Sequence, residues 1–392
     1  MHRRSFLKGA ALAGAALRLE AAPSAPLLLL SAEEATRLKP PARLAAGTRG
    51  AMTAGPWSVT YHRPGALSPA GPHDFFSEGP YWWPNPAKPG GPYVRRDGVV
   101  NPERFTANDD DLGDLCETVL QLGLAACFLK DQAAAARAWN LIGVWFLQPE
   151  TYMAPNLEYG QAIRGVTAGR GIGIIDTRPL LWCAQGATLL DASFPDAPAS
   201  AGLKKWFAQY VHWLTTSAKG IDERNNGNNH ATWWAAQVAA CSIYCGDEKS
   251  ERLAYDLYRN VLVPTQLRPD GSAPREEART KSLSYTCMNL DGFSLLCRLA
   301  EKRGHDLWSF QTKDGAGVLT SCAYAARFLN DPSAWKKQQI APIGKIRAYF
   351  PALAGMGAKR PEWIELQKRL GYPGNAWGQL VAMMMDAWQS PA

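Results

Sequence analysis

ATWWAAQVAACSIYCG, residues 231–246, carries no charged residue and no proline. Its apolar positions recur at spacings of three and four, and it runs too long for a strand. It therefore reads as a helix packed within a core. Seven further runs of this kind lie between 111 and 329: DLGDLCETVLQLGLAACFLK, AAAARAWNLIGVWFL, TRPLLWCAQGATLLD, LKKWFAQYVHWLTTSAKG, SERLAYDLYRNVLV, LDGFSLLCRLAEKRG and GVLTSCAYAARFL. Short Gly/Pro/Asn breaks separate them. Few segments alternate as strands do, and no fixed-period repeat is present. Paired helices of this length and number predict an all-α chain, an (α/α) toroid or incomplete barrel. Its irregular connections would line one mouth. Upstream, residues 56–105 are rich in Pro, Gly and aromatics with little periodicity, and read as long, ordered loops.

The chain has 392 residues, 46% of them hydrophobic and 20% charged, which is ordinary globular composition with ample material for one large domain. MHRRSFLKGAALAGAALRLEAA, residues 1–22, has an Arg3–Arg4 pair, then Phe6-Leu7-Lys8, a weakly apolar run and small residues near Ala21 and Ala22. This is the form of a twin-arginine export signal, which implies a periplasmic destination. Residues 23–55 are expected to form an N-terminal extension and 56–392 the α/α-barrel domain. No other stretch reaches the roughly 18 apolar residues of a membrane span. The net charge is +7, about +4 once residues 1–22 are removed. It is spread out with no basic block, which argues against nucleic acid and suits an acidic ligand. The eight cysteines form no CxxC pair and show no metal-ligand spacing, so buried free thiols and no metal site are expected.

Four stretches can carry chemistry. In HDFFSEGPYWWPNP, residues 73–86, His73, Tyr81, Trp82 and Trp83 precede Arg95, Arg96 and Asp97. Aromatics beside arginines on a loop suit sugar stacking and carboxylate pairing, or simply pin the loop to the barrel. NLEYGQAIRGVTAGRGIGIID, residues 156–176, has the glycines of a phosphate loop without a preceding strand or a Lys-Ser/Thr pair, so nucleotide binding is excluded. A glycine-rich turn presenting Asn156, Glu158, Tyr159, Gln161 and Arg164 is the better reading, with Asp176 and Arg178 capping the next helix. In NNGNNHATWW, residues 225–234, Asn226-Gly227 is a turn and Asn228 a helix cap. Asn229 and His230 are left with spare chemistry, and Trp234 stands behind them. His230, in the first helical turn, lies near the positive end of the helix dipole, which favours a neutral imidazole able to accept a proton. In PDGSAPREEARTKSLSYTCMNLDGF, residues 269–293, Arg279 and Tyr285 are six apart. They converge only if a helix starts between them, near Ser282 or Ser284. Glu276 and Glu277 are placed to orient the arginines, and adjacent cations would stabilise a Tyr285 phenolate.

Together WWPNP, NLEYGQAI, GRGIGIID, NNHATWW and EEART…LSY resemble the alginate lyase superfamily of α/α-barrel polysaccharide lyases, over roughly residues 55–380. They are closer to polysaccharide lyase family 38 than to the shorter family 5 enzymes. The family 5 pattern places its tyrosine in His-Asn-Tyr, where this chain has Cys287-Met288-Asn289. The resemblance implies an active site of Asn229, His230, Arg279 and Tyr285. It also implies an acidic polysaccharide substrate, alginate first and glucuronan second, and β-elimination that needs no metal or other cofactor. A glycoside hydrolase on the same barrel would need two carboxylates flanking the bond, with Asp176, Glu158 and Glu277 available. A non-catalytic sugar binder would need neither set.

Overall fold

The computed structural model describes residues 27–372 and 374–389. The expected export signal at 1–22 lies outside the described residues. Helix makes up 61% of the described residues and strand 5%, as the run of apolar segments requires. In chain order the helices are α1 (Ala32–Arg37), α2 (Ala42–Thr53), α3 (Ala107–Leu129), α4 (Gln132–Ile142), α5 (Leu180–Ser193), α6 (Ala197–Thr216), α7 (Ala218–Arg224), α8 (Asn229–Cys245), α9 (Glu248–Leu257), α10 (Val263–Gln266), α11 (Pro274–Glu277), α12 (Ser282–Lys302), α13 (Val318–Asn330), α14 (Phe350–Gly357), α15 (Pro361–Leu370) and α16 (Ala376–Gln389).

Six of these form an inner ring. α3 packs on α5, α5 on α8, α8 on α12, α12 on α14, α14 on α16, and α16 back on α3. The others pack outside, α4 and α2 on α3, α6 and α9 on α8, and α13 on α12 and α14. Ring helices are enclosed on every side. From Ala231 to Tyr244 every residue of α8 is buried, and most of α5 is too. That is why ATWWAAQVAACSIYC has no polar face. α3 and α5 approach so closely that a Cβ on Gly123 would sit 2.8 Å from the Gly186 carbonyl oxygen, and one on Gly186 would sit 2.8 Å from the Val119 carbonyl oxygen. Only paired glycines fit there.

α3 is long and apolar enough to cross a membrane by length and composition, contrary to the expectation that no such stretch follows the signal. Here it is a ring helix, two-thirds buried over its most apolar window. All eight cysteines are free, and six of them are buried.

Residues 27–53 share the same core as the ring. Leu27 to Leu30 are buried. The Leu29 N–H donates to Gln185 Oε1 at 2.9 Å, and its carbonyl accepts from Arg298 Nε at 3.1 Å. α1 begins with a capping box on Ser31 and Glu34. Glu34 reaches Arg298 and Lys302 at 2.9 and 2.7 Å. Burial opposes the Glu34 charge, but these two cations prevail and hold the carboxyl down at about 2.

The long N-terminal loops lie over the end of the ring where α8 and α12 begin. They are pinned by two small sheets. β1 (Phe76–Glu78) pairs in parallel with β4 (Tyr159–Ala162), and β2 (Trp82–Trp83) pairs antiparallel with β3 (Val94–Arg95). The β2–β3 hairpin and the segment after β4 form two walls over the helix starts.

Candidate active site

The cleft between these walls and the helix starts has a volume of about 460 Å³. Asn229, His230, Arg279 and Tyr285 all line it, joined by Tyr81, Trp82, Arg95 and Gln161 from the loops. A larger hollow of about 580 Å³ opens at the other end of the ring, beside His305 and Arg360, and gathers none of them.

α8 starts as its sequence dictates. Gly227 takes φ +75° in the turn, and Asn228 Oδ1 caps the helix by accepting the His230 N–H at 3.0 Å. Asn229 is therefore free of capping duty. It is fully buried at the cleft wall. Its N–H donates to Glu276 Oε1 at 2.6 Å and its Nδ2 donates to Glu276 Oε2 at 2.8 Å, while Oδ1 is buried without a partner. Glu276 thus grips Asn229, rather than orienting the arginines as expected from sequence. Burial pushes the Glu276 carboxyl up, and the two Asn229 donors oppose it. His230 Nδ1 lies 2.9 Å from Glu223 Oε1, which leaves Nε2 as the ring nitrogen without a protein partner. Glu223 is fully buried, with Oε2 unpaired; burial raises its carboxyl and His230 draws it back.

α12 does begin at Ser282, so Arg279 sits in the turn before it and folds back over Tyr285. The guanidinium carbon lies 3.8 Å from the ring centroid, and Nη2 donates to the Tyr285 hydroxyl at 2.8 Å. The Tyr81 hydroxyl is 2.6 Å away on the hairpin side. The expected easing of the phenolate by cations is overruled. Burial, then Tyr81, push the Tyr285 phenol well above its ordinary range, and Arg279 only partly offsets them. At rest Tyr285 is protonated, and its hydroxyl oxygen accepts from Arg279.

The second wall, starting at the end of β4, runs from Gln161 to Arg178. Gln161 takes φ +47°, a left-handed conformation that is uncommon outside glycine, and each of its polar atoms is used. Its N–H donates to Ser77 Oγ at 2.8 Å and its Nε2 to Asp176 Oδ1 at 2.7 Å. Its two oxygens accept from Arg170 Nε and Nη2, both at 2.9 Å. Arg170 has no carboxylate partner there, and burial lowers it to about 10. Asp176 and Arg178 do not cap α5, which starts after Pro179 without a side-chain cap. Asp176 instead accepts from Ser77 Oγ and Gln161, while Arg178 lies 5.2 Å from the Trp233 ring centroid; both line the cleft.

Eight residues proposed from sequence as substrate contacts lie elsewhere, each held by a local partner. His73 stacks on Tyr152 at 4.2 Å, and Trp83 donates to the Val99 carbonyl beneath Arg96. Asn156 Oδ1 caps the Glu158 N–H, and Tyr159 pairs with Phe76 across β1 and β4. Glu158 takes Lys219 and Trp213, and Arg164 pairs with Glu78 at 2.6 Å. Trp234 is fully buried and donates to the Leu214 carbonyl, and Glu277 pairs with Lys337. Glu158 and Glu277 are thereby removed as partners for Asp176, so no carboxylate pair of the kind a hydrolase needs faces the cleft from that set. The sequence reading gave no role to Glu223, Asp97 or Arg170. Glu223 lies seven residues before His230 on a separate short helix, and its only signal is an acid just ahead of the turn.

A family model described as alginate lyase matches residues 58–335. No curated relative matches the chain. Among solved structures, an alginate lyase from Bacteroides ovatus is 29% identical, covers 88% of this chain and 96% of its own, and superposes with a TM-score of 0.81. Alginate lyase A1-III from Sphingomonas species A1 gives a TM-score of 0.50 at 14% identity, over 90% of this chain and 92% of its own. A histidine-to-alanine form of alginate lyase A1-III complexed with tetrasaccharide gives 0.58 at 14%, again over 90% and 92%. At 14% identity the likeness speaks for the fold alone.

Proposed function

Because the chain belongs to the alginate lyase family, and so is a polysaccharide lyase, we propose that it cleaves 4-linked polyuronates, alginate first, by β-elimination at Tyr285 and His230. The observation that carries this reading is the convergence of Asn229, His230, Arg279 and Tyr285 on one cleft.

The chemistry removes the proton at C5, α to the uronate carboxylate. The C5–H electrons form the C4–C5 double bond, the C4–O4 bond breaks, and O4 leaves with a proton. Charge builds on the carboxylate as the proton departs. Asn229, whose Nδ2 keeps one hydrogen beyond the bond to Glu276, and Arg279 stand ready to stabilise it. Where the proton and O4 lie on the same face of the sugar, Tyr285 is the group that takes one and supplies the other. Arg279 then stabilises the transient phenolate, which burial makes costly at rest. Where they lie on opposite faces, His230 Nε2 is the base and Tyr285 the acid, with Glu223 fixing the imidazole through Nδ1. Trp82 and Tyr81 on the hairpin offer ring faces and a hydroxyl to the sugar.

Glucuronan is the second substrate in this reading. The Arg3–Arg4 pair and the apolar run after it support export to the periplasm by the twin-arginine route. The test is incubation of the purified protein with alginate, polyglucuronate and hyaluronan while following the ultraviolet absorbance of the unsaturated product. Absorbance growing on alginate or polyglucuronate is expected. No absorbance on any polyuronate refutes the reading, and reducing ends appearing without it would mean hydrolysis.

A further inference from the structure

Arg279 is not a free anion receptor. Besides the Tyr285 hydroxyl, its Nη2 and Nε meet Asp97 Oδ1 and Oδ2 at 2.9 and 3.3 Å. Asp97 is itself drawn in by Thr280 Oγ1 at 3.1 Å and Arg95 Nη2 at 2.6 Å. It follows β3 on the hairpin, and its side chain is 24% exposed. One fork of the guanidinium is thus already filled by a carboxylate of the protein, and that carboxylate is held by donors from three residues. No substrate contact is needed to explain Asp97, yet it sits one residue away from the proposed acid–base group.

We propose that Asp97 is a positioning residue for the elimination, fixing Arg279 against Tyr285 and balancing its charge so that Arg279 acts on negative charge as it builds in the transition state rather than capturing a resting uronate carboxylate. A paired guanidinium binds a resting carboxylate weakly. It still stabilises the negative charge that appears beside Tyr285 as the proton moves, and only that difference accelerates the chemistry. The groups facing Tyr285 are Tyr81 and Asp97 from the hairpin and Arg279 from the turn before α12; Arg95, Arg170, Asp176, Arg178 and His230 share its cleft. Asp97 raises the Tyr285 phenol and Arg279 lowers it, so removing the Asp97 charge shifts the phenol down.

The inference rests on Tyr285 carrying the proton, and the experiment separates the two. Asp97→Asn, Asp97→Glu and Tyr285→Phe are made in the full chain, and kcat and KM on alginate are measured across pH. Asp97→Asn is expected to lower kcat about tenfold or more while KM stays level or falls, a split opposite to the loss of a substrate contact. The pH limb that Tyr285 governs is expected to move down. Asp97→Glu keeps the charge, so it should recover part of kcat and leave the limb in place. A rise in KM with kcat and limb unchanged overturns the proposal, and so do wild-type values throughout. Should Asp97→Asn fail to fold, Thr280→Val removes one donor from Asp97 and must lower kcat a few-fold without raising KM; unchanged kinetics there overturn it equally. Undiminished turnover by Tyr285→Phe would sink the functional reading itself. An inactive Tyr285→Phe beside an unaltered Asp97→Asn sinks this inference alone.

Discussion

Replacing Glu276 separates what holds the cleft together from what makes it work. Glu276 is 1% exposed and accepts two hydrogen bonds from Asn229. Glu276→Ala strands both donors in a buried wall. Bonds to a charged acceptor contribute about 1.5–3 kcal/mol each, and removing a carboxyl that burial already disfavours returns part of that. A net loss of about 2–4 kcal/mol in unfolding free energy is expected. Glu276→Gln differs. Its amide oxygen can still accept the Asn229 N–H, but its NH2 then meets the Asn229 NH2 unless that amide turns over. Turning is cheap, because Asn229 Oδ1 has no partner to lose and gains the new donor. Stability should fall by less than about 1 kcal/mol. The turned amide presents the wrong polarity to the substrate, however, so kcat/KM should fall by roughly 100-fold, the scale of losing one preorganised donor. Denaturant unfolding and initial rates of unsaturated-product formation measure the two effects on the same preparations. If Glu276→Gln loses as much stability as Glu276→Ala, or if it turns over at the wild-type rate, the assignment of Glu276 as the grip on Asn229 is refuted.

Three other outcomes follow from the geometry. Gly123→Ala drives a methyl to 2.8 Å from the Gly186 carbonyl and should cost about 2 kcal/mol or more, seen as a lower denaturation midpoint; an unchanged midpoint would mean the α3–α5 spacing is slack. Glu34 has a folded pKa of about 2 against an ordinary 4.5, so its stabilisation is present above about 4.5 and is lost as the pH falls toward 2. Glu34→Gln should therefore be less stable than wild type by up to roughly 3 kcal/mol at neutral pH, with the gap closing across that acid window; a constant gap would show that the Arg298 and Lys302 contacts do not act through charge. His230→Ala should abolish cleavage of linkages whose C5 proton and O4 lie on opposite faces while sparing much of the same-face activity, read by comparing guluronate-rich with mannuronate-rich alginate. Equal losses on both would assign His230 to positioning alone.

The helical architecture was legible because ring helices must be apolar on every side, and ATWWAAQVAACSIYC has no other way to be buried. The same holds for Arg279 and Tyr285. Their six-residue spacing demanded a helix start between them, and Ser282 provides it. What sequence could not show are partners brought together only by the tertiary fold. Asp97 and Arg279 stand 182 positions apart, and Glu276 and Asn229 stand 47 apart. No local pattern distinguishes an acid that clamps an active-site residue from one that is merely solvated. The aromatic loop misled in a specific way. Irregular backbone over a barrel mouth has to be anchored, and His73 and Trp83 are spent on anchoring, which leaves Tyr81 and Trp82 to face the cleft.

The closing seam between α16 and α3 also sets the order in which the molecule can be made. Gln379 Nε2 donates to Gln121 Oε1 at 2.9 Å across 258 positions, Glu117 accepts the Ala376 N–H, and α1 touches α16. The ring is therefore closed by the first and last of its six helices in chain order. A chain still leaving the ribosome holds α3 with one flank of its apolar surface bare, however well α5 and α8 have already docked. Closure of the ring has to wait for α16. A chain truncated before residue 376 would lack the helix that closes the ring between α14 and α3.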